Sequence, residues 1–121
     1  MSMRVLIVDD SRTARLMLRR ALPQALGREV VEAASGSEAL ARIAAEPIDV
    51  MFLDLTMSGL DGYQVLKALK EAGRLPLTIV VSADVQPLAQ QRVRALGAMA
   101  FVPKNISGTD LTSVVETAGL L

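Results

Sequence analysis

The sequence has 121 residues, of which 51% are hydrophobic, and this is enough apolar material for one domain with a single core. Thirteen basic residues balance thirteen acidic residues, so no net field attracts nucleic acid or an anionic membrane. The absence of cysteine and histidine excludes disulfides, thiolate or imidazole catalysis, and metal sites built from those ligands. We therefore predict one domain over residues 1–121, whose chemistry rests on carboxylates, hydroxyls, lysines and backbone groups.

The N-terminal residues lack the charge and size pattern of a signal peptide. No apolar run reaches the roughly 18 residues that a membrane-spanning helix needs. The sequence thus predicts a cytoplasmic protein that neither inserts into a membrane nor contacts nucleic acid directly.

Short apolar runs alternate with helical patterns along the chain. The runs are typical of parallel strands covered on both faces, and they are Val5–Val8, a weaker edge strand at Val30–Val31, Val50–Leu53, Leu77–Val81 and Ala98–Val102. Helical spacing of apolar residues follows each run, namely from Leu16 to Leu22, Leu40 to Ala44, Val65 to Leu69, Val93 to Leu96 and Leu111 to Val115. Proline or glycine ends the first four of these patterns, as expected at helix stops. Five strand-helix repeats predict an α/β fold with a single doubly wound parallel sheet.

Polar residues stand within two residues of the ends of four of the five predicted strands. Asp9 and Asp10 follow the first strand, Asp54 the third, Ser82 the fourth and Lys104 the fifth. In such sheets ligands bind at the carboxyl ends of the strands. If the first and third strands are neighbours, their three carboxylates would repel one another unless a cation lay between them, and carboxylates favour Mg²⁺ or Mn²⁺. With a hydroxyl and an ammonium beside it, the third-strand carboxylate could act as a nucleophile toward a phosphoryl group.

Each of these residues also has an ordinary interpretation when it is taken alone. Asp10 and Ser11 could cap the first helix, and Asp54 could be a turn residue. Ser82 could bond to nearby backbone, and Lys104 could be a solvated surface lysine. Independent caps and turns would seldom place complementary groups after four strands of one sheet, and this favours a functional site.

Four segments together resemble the receiver domains of bacterial two-component response regulators, a chemotaxis-type, CheY-like family. The segments are LIVDDS, LDLTMSGLDG, VVSAD and FVPK, in this order and spread over essentially the whole chain. The resemblance implies a flavodoxin-like (βα)5 fold with strand order 2-1-3-4-5. It also implies that Asp54 is the phosphorylated aspartate, with Mg²⁺ held by Asp9, Asp10, Asp54 and the backbone carbonyl of Thr56.

The resemblance assigns further roles around the phosphoryl group. Ser82 resembles the switch hydroxyl that closes onto this group, and Lys104 resembles the lysine that pairs with it. Phe101 stands at the aromatic switch position, whose ring turns inward, although ordinary core packing is an equal alternative. Thr56 and Asp84 occupy variable positions that influence how long the phosphoryl group lasts.

The chain departs from the family pattern in two loops. The family usually has Met-Pro where this chain has Met57-Ser58, so the loop after the acceptor lacks the rigidity of proline. The family lysine normally precedes a proline in a cis peptide, whereas Lys104 precedes Asn105. Because a cis peptide without proline is costly, we predict a trans bond between Lys104 and Asn105.

Three other groups of residues receive simpler interpretations. Gly59 and Gly62 are interpreted as turn residues before the third helix, with Asp61 as its N-cap. A solvated face is favoured over an acidic docking partner for four arginines of the first helix, Arg12, Arg15, Arg19 and Arg20. Core filling and loop packing are predicted for Met17, Met51, Met57 and Met99.

The favoured function is a phosphorylation-dependent signalling switch. A histidine kinase or histidine phosphotransfer protein would supply the phosphoryl group, and the surface of the fourth helix, fifth strand and fifth helix would bind a downstream protein or output domain. The chain fits both a stand-alone protein and the N-terminal receiver of a longer regulator.

Two alternatives stay open. A degenerate receiver could act as a phosphorylation-independent binding or dimerisation module. A magnesium-dependent phosphohydrolase of the haloacid-dehalogenase type is disfavoured, since it needs an acid where this chain has Thr56. We therefore expect no enzyme activity beyond assistance of the chain's own phosphorylation and dephosphorylation.

Overall fold

A computed structural model describes residues 3–26 and 29–120. Strands and helices alternate five times in this part of the chain, as the sequence predicts. Their bounds are β1 Arg4–Val8, α1 Arg12–Ala21, β2 Glu29–Ala33, α2 Gly36–Ala45, β3 Val50–Leu53, α3 Gly62–Glu71, β4 Leu77–Ser82, α4 Pro87–Ala95, β5 Ala100–Pro103 and α5 Gly108–Thr117.

The five strands form one parallel sheet in the order β2-β1-β3-β4-β5, which confirms the implied topology. The register pairs Val8 with Leu53 and Leu53 with Val80, so β1, β3 and β4 end near the same level. The strand order reverses between β1 and β3, where doubly wound sheets bind their ligands. The predicted edge strand is confirmed as β2, which pairs only with β1 among the described residues.

Helices cover both faces of the sheet and enclose two apolar layers. The β1 side chains alternate between them, with Leu6 and Val8 in the layer under α2, α3 and α4, and Val5 and Ile7 in the layer shared with α5. Because both faces are buried, every side chain from Val5 to Val8 must be apolar, and this explains the unbroken apolar run.

Polar caps set the N-termini of four helices. The side chains of Ser11, Ser35, Asp61 and Ser107 each accept a hydrogen bond from a backbone N–H of the first helical turn. The predicted N-cap of α3 is thus confirmed, and Gln64 completes a capping box with Asp61. Helix α4 instead begins with Pro87, without a side-chain cap.

The structure corrects two sequence predictions outside the site. Strand β5 begins at Ala100 rather than Ala98, and Met99 lies just before it, where its N–H donates to the Thr78 carbonyl at 2.8 Å. Met51 and Met57 are buried as predicted, but Met17 and Met99 are 64% and 48% exposed, so core packing is wrong for these two. Within the described ranges, every helix is too short or too polar to cross a membrane.

Candidate functional site

The carboxylates of Asp9, Asp10 and Asp54 come together at the carboxyl end of the sheet. An oxygen of each lies within 4.8 Å of the others. Asp9 and Asp54 are buried, whereas Asp10 is exposed. The convergence follows from the register, since these residues come directly after the paired ends of β1 and β3. The predicted acidic cluster is therefore present.

Asp9 is fixed by its neighbours in the fold. Its N–H donates to the carbonyl of Ala33 at 3.1 Å, which extends the ladder between β1 and β2. Its Oδ1 accepts from the N–H of Ser11 at 2.9 Å. Ser11, and neither aspartate, caps α1 through its hydroxyl, which accepts from the N–H of Ala14. Helix capping therefore explains the serine but leaves both acids for another role.

Lys104 brings a positive charge to the buried acids. Its Nζ lies 3.0 Å from Asp9 Oδ2 and 3.3 Å from Asp54 Oδ2. Burial lowers the pKa of Lys104, but the bond to Asp9 and the charges of both carboxylates outweigh this, so its pKa lies above the ordinary value. No described peptide bond is cis, so the predicted trans bond between Lys104 and Asn105 is confirmed. The lysine therefore reaches the acids without a cis peptide.

Asp54 is unfavourably placed for a charged group. Its burial and the nearby charge of Asp9 raise the pKa of its carboxyl, while Lys104 and the N–H of Thr56 act in the opposite direction. The Thr56 N–H donates to Oδ1 at 3.3 Å. Among the described residues, no group makes a hydrogen bond to the buried Oδ2, although Lys104 lies at ion-pair distance. The fold thus keeps an under-satisfied acceptor beside a second buried acid.

These donor atoms suit a hard divalent cation such as Mg²⁺. All three are carboxylates, and one buried oxygen lacks a hydrogen-bond donor in the described part of the chain. A cation there would offset the repulsion between Asp9 and Asp54. The residues that would hold it are Asp9, Asp10 and Asp54, and a contribution from the Thr56 carbonyl stays a prediction.

Replacing Asp54 with asparagine is expected to stabilise the metal-free protein at pH 7 by about 1 kcal/mol, or roughly 4 °C. A carboxyl whose pKa is higher in the folded than in the unfolded protein destabilises the fold above the folded pKa, and the penalty vanishes below the unfolded pKa. The stabilisation should therefore disappear as the pH falls below about 4. Thermal unfolding with a chelator across this range measures it. A variant less stable than the wild type at pH 7 would contradict the prediction.

Ser82 and Asp84 form the turn that leads from β4 to α4. The buried Ser82 hydroxyl accepts from the N–H of Asp84 at 3.1 Å. The exposed Asp84 carboxylate accepts from the N–H of Gln86 at 3.1 Å, just before α4. The carbonyl of Ser82 accepts from the N–H of Lys104 at 3.0 Å, which joins this turn to the lysine. The switch role of Ser82 and the rate-tuning roles of Asp84 and Thr56 stay predictions.

Phe101 lies on β5, three residues before Lys104, and its side chain is on the α4 side of the sheet. Its half-buried ring packs against the core layer that contains Val80 and Val93. A groove of about 570 Å³ opens beside it, lined by Arg94, Met99, Ala100, Phe101, Ser113, Val114, Thr117 and Ala118. The ring therefore has both a core contact and open space next to it, so both interpretations of Phe101 remain compatible with its position.

A second cavity, of about 400 Å³, adjoins the acids between α1 and the segment after β5. Asp54 and Lys104 line its polar end, and the exposed Met17 of α1 lines its apolar wall. Asp54 can therefore be approached from the α1 side of the molecule.

The sequence interpretation of the α1 arginines is wrong for one of them. Arg12, Arg19 and Arg20 are exposed, as a solvated face requires. The side chain of Arg15 is only 14% exposed. Arg15 and Arg19 bind the two oxygens of Glu32 on β2, at 2.8 and 2.9 Å. Burial raises the pKa of Glu32, but the hydrogen bonds from Arg15 and Arg19 outweigh it and hold this pKa below the ordinary value. The sequence signal for this contact was Glu32 itself, because an acid within the otherwise apolar run VVEAA needs a basic partner.

Comparison with known proteins identifies relatives of this chain. The family model that describes the response regulator receiver domain matches residues 5–116 of this chain. The chain is 45% identical, over 95% of its length, to a protein-glutamate methylesterase/protein-glutamine glutaminase of Myxococcus xanthus, of which it covers 36%. It is 39% identical, over 86% of its length, to the response regulator MprA of Mycobacterium bovis, of which it covers 45%. The chain thus spans less than half the length of either relative.

A solved structure gives the same result for the fold. The chemotaxis protein CheY4 of Vibrio cholerae superposes with a TM-score of 0.86 at 28% identity, and the match covers 98% of this chain and 99% of that one. The family model covers both aspartates of the β1 end, Asp54 and Lys104. The chain belongs to the response regulator receiver domain family.

Proposed function

We propose that this chain is a phosphorylation-dependent switch of a two-component system and that Asp54 is its phosphoacceptor. One observation carries the proposal: Asp54 is buried among Asp9, Asp10 and Lys104, in an arrangement that costs stability and suits a cation and a phosphoryl group. Membership in the receiver family supports it. The natural donor would carry its phosphohistidine outside these 121 residues, on a histidine kinase or histidine phosphotransfer protein, because the sequence contains no histidine.

The proposed step is a transfer from nitrogen to oxygen. A carboxylate oxygen of Asp54 attacks phosphorus, the P–N bond to the donor histidine breaks, and the departing imidazole keeps the electron pair and takes a proton. The product is an acyl phosphate on Asp54. The ammonium of Lys104 would then pair with the phosphoryl oxygens instead of the free carboxylate. Mg²⁺ bound by the three acids would neutralise part of the combined negative charge.

The change at Asp54 would be transmitted through β4 and β5. Ser82 ends β4, and its carbonyl accepts from the N–H of Lys104, the residue directly after β5, while Phe101 lies on β5 three residues before that lysine. Inward movement of the Ser82 hydroxyl would require its bond from the Asp84 N–H to break. We propose that this shifts the face of α4, β5 and α5, where the groove beside Phe101 receives a downstream protein or an output domain.

A phosphorylation-independent binding module is the remaining alternative. The complete set of Asp9, Asp10, Asp54 and Lys104, in contact across three strands, argues against it. Turnover as a phosphohydrolase is disfavoured, because the side chain two residues after Asp54 is the neutral Thr56. Signalling without catalytic turnover is therefore the function that the site supports best.

Incubation with acetyl phosphate and Mg²⁺, followed by intact-mass measurement, tests the proposal. We expect the wild type to gain one phosphoryl group, and Asp54→Asn or a sample with chelator to gain none. Asp49→Asn is the matched control, because it removes a carboxylate at the opposite end of β3, where its Oδ2 accepts from the N–H of Arg4. This control should label like the wild type. Absence of labelling, together with failure to bind beryllofluoride, would favour the binding module instead.

A further inference from the structure

Arg15 of α1 bridges Asp9, which follows β1, and Glu32 on the edge strand β2. Its Nη1 donates to the backbone carbonyl of Asp9 at 2.7 Å, and its Nε donates to Glu32 Oε1 at 2.8 Å. Only 14% of its side chain is exposed, in contrast to the exposed Arg12 one turn earlier. A planar guanidinium with fixed donors is suited to hold two acceptors at once. Arg15 thus joins two segments of the chain through one rigid group.

Glu32 is itself held in place by two hydrogen-bond partners, Arg15 and Arg19. It lies on β2 opposite Ile7, two residues before Asp9. Its second oxygen accepts from Arg19 Nη2 at 2.9 Å, and the same guanidinium also reaches the carbonyl of Val30 at 3.3 Å. Two guanidinium groups therefore restrict the Glu32 carboxylate, which in turn restricts Arg15.

With the contact from Arg15, all the polar groups of Asp9 are engaged. Its N–H is bound to Ala33, its carbonyl to Arg15, its Oδ1 to the N–H of Ser11 and its Oδ2 to Lys104. The two backbone contacts and the two carboxylate contacts together restrict the direction in which the Asp9 side chain points. Loss of the Arg15 contact would free the carbonyl and let the β1–α1 loop rotate.

We propose that Arg15 is a positioning residue for Asp9, and that Glu32 holds it in place. This inference rests on the proposed function, in which Asp9 is a Mg²⁺ ligand. Arg15 does not touch the ligand site itself; it fixes the backbone that carries one of the ligands. Partners of this kind, outside the ligand set, typically change metal affinity by about 10- to 100-fold when they are removed.

The direction in which Mg²⁺ affinity changes when Arg15 is replaced distinguishes a positioning role from a purely electrostatic one. Arg15 carries a positive charge near three acids, so removal of its charge alone would strengthen Mg²⁺ binding. Removal of a positioning contact would weaken it. The variant Arg15→Gln makes both changes, and we expect the loss of positioning to dominate, with roughly tenfold weaker binding. Arg15→Lys keeps the charge but cannot hold both acceptors in the fork geometry, and it should also bind more weakly.

Isothermal titration with MgCl₂ of the metal-free proteins provides the test. Arg12→Gln is the control for charge, because Arg12 is exposed on the same helix, and its affinity should stay within about twofold of the wild type. Arg19→Gln is the control for the Glu32 contact, because in the described part of the chain Arg19 bonds to Glu32 and Val30 and not to Asp9. Equal weakening in Arg19→Gln and Arg15→Gln, or tighter binding in Arg15→Gln, would overturn the proposal.

Amide hydrogen exchange of the metal-free protein gives a readout that does not depend on Mg²⁺. Exchange at the N–H of Ser11, which donates to Asp9 Oδ1, should accelerate about tenfold in Arg15→Gln and stay unchanged in Arg12→Gln. If the wild type bound no Mg²⁺, the proposed function would fail, but this comparison would still decide the role of Arg15. Unchanged exchange in Arg15→Gln would refute the positioning role.

Discussion

Replacing Lys104 with methionine is expected to tighten Mg²⁺ binding at least tenfold and to destabilise the metal-free protein by about 2 kcal/mol. The ammonium lies 3.0 Å from Asp9 and 3.3 Å from Asp54, so it competes with a cation for the same two carboxylates. Without it, the buried acids repel each other with no compensating charge. We expect a smaller loss of stability than for a fully buried ion pair, because the side chain of Lys104 is 32% exposed.

Urea unfolding and Mg²⁺ titration of the Lys104 variant measure the two effects together. Lys67→Met is the matched control, since Lys67 is exposed on α3. Its replacement should leave the free energy of unfolding and the Mg²⁺ affinity nearly unchanged. Saturating Mg²⁺ should restore most of the lost stability, because binding to the folded state alone adds to its free energy of unfolding. Weaker Mg²⁺ binding in the variant would mean that the lysine organises the acids rather than competing for them.

Replacing Gly62 with alanine is expected to destabilise the protein by about 3 kcal/mol and to reduce phosphoryl uptake at Asp54. A Cβ at this position would lie 2.5 Å from the carbonyl oxygen of Asp54 and 2.7 Å from the Cα of Leu55. Both are backbone atoms that cannot turn aside as a flexible side chain could. The N-terminus of α3 would have to move away from β3, and the backbone of the acceptor would move with it.

Gly108→Ala is the matched control, because Gly108 is also the first residue of its helix. A Cβ there meets its nearest atom, the carbonyl oxygen of Ala21, at 3.6 Å, which is an ordinary contact. This variant should be as stable as the wild type or slightly more stable. Chemical unfolding of both variants, with acetyl phosphate labelling of the folded protein, measures the difference. Equal stability of the two alanine variants would refute the close-packing explanation.

The role of Gly62 also corrects its interpretation as a turn residue. Its N–H donates to the carbonyl of Leu55, and it begins α3 directly against the end of β3. Gly59, by contrast, is the turn residue, with a φ of 73°. The sequence places both glycines near the start of a helix but does not distinguish their roles. Gly59 is needed for its backbone angle, and Gly62 is needed because it has no side chain.

The sequence by itself determined the fold and the members of the acidic site. Continuous apolar runs can be satisfied only by strands covered on both faces, and helical spacing after each run leads to parallel crossovers. Parallel strands place their carboxyl ends at one edge, and this brings Asp9, Asp10, Asp54 and Lys104 to the same side of the sheet. Local periodicity and this rule of topology predict that much, whereas the strand order that makes β1 and β3 neighbours was implied by the resemblance to receiver domains.

Only the tertiary structure decided the contacts that hold this site in position. Arg15 and Glu32 are 17 residues apart, and nothing in either local pattern says which arginine of α1 faces β2. The exposure of Met17 and the fit of Gly62 against Asp54 likewise depend on how closely a helix approaches the sheet. Periodicity assigns a residue to a face, but distances of a few ångströms between elements are set by the packing of all their side chains together.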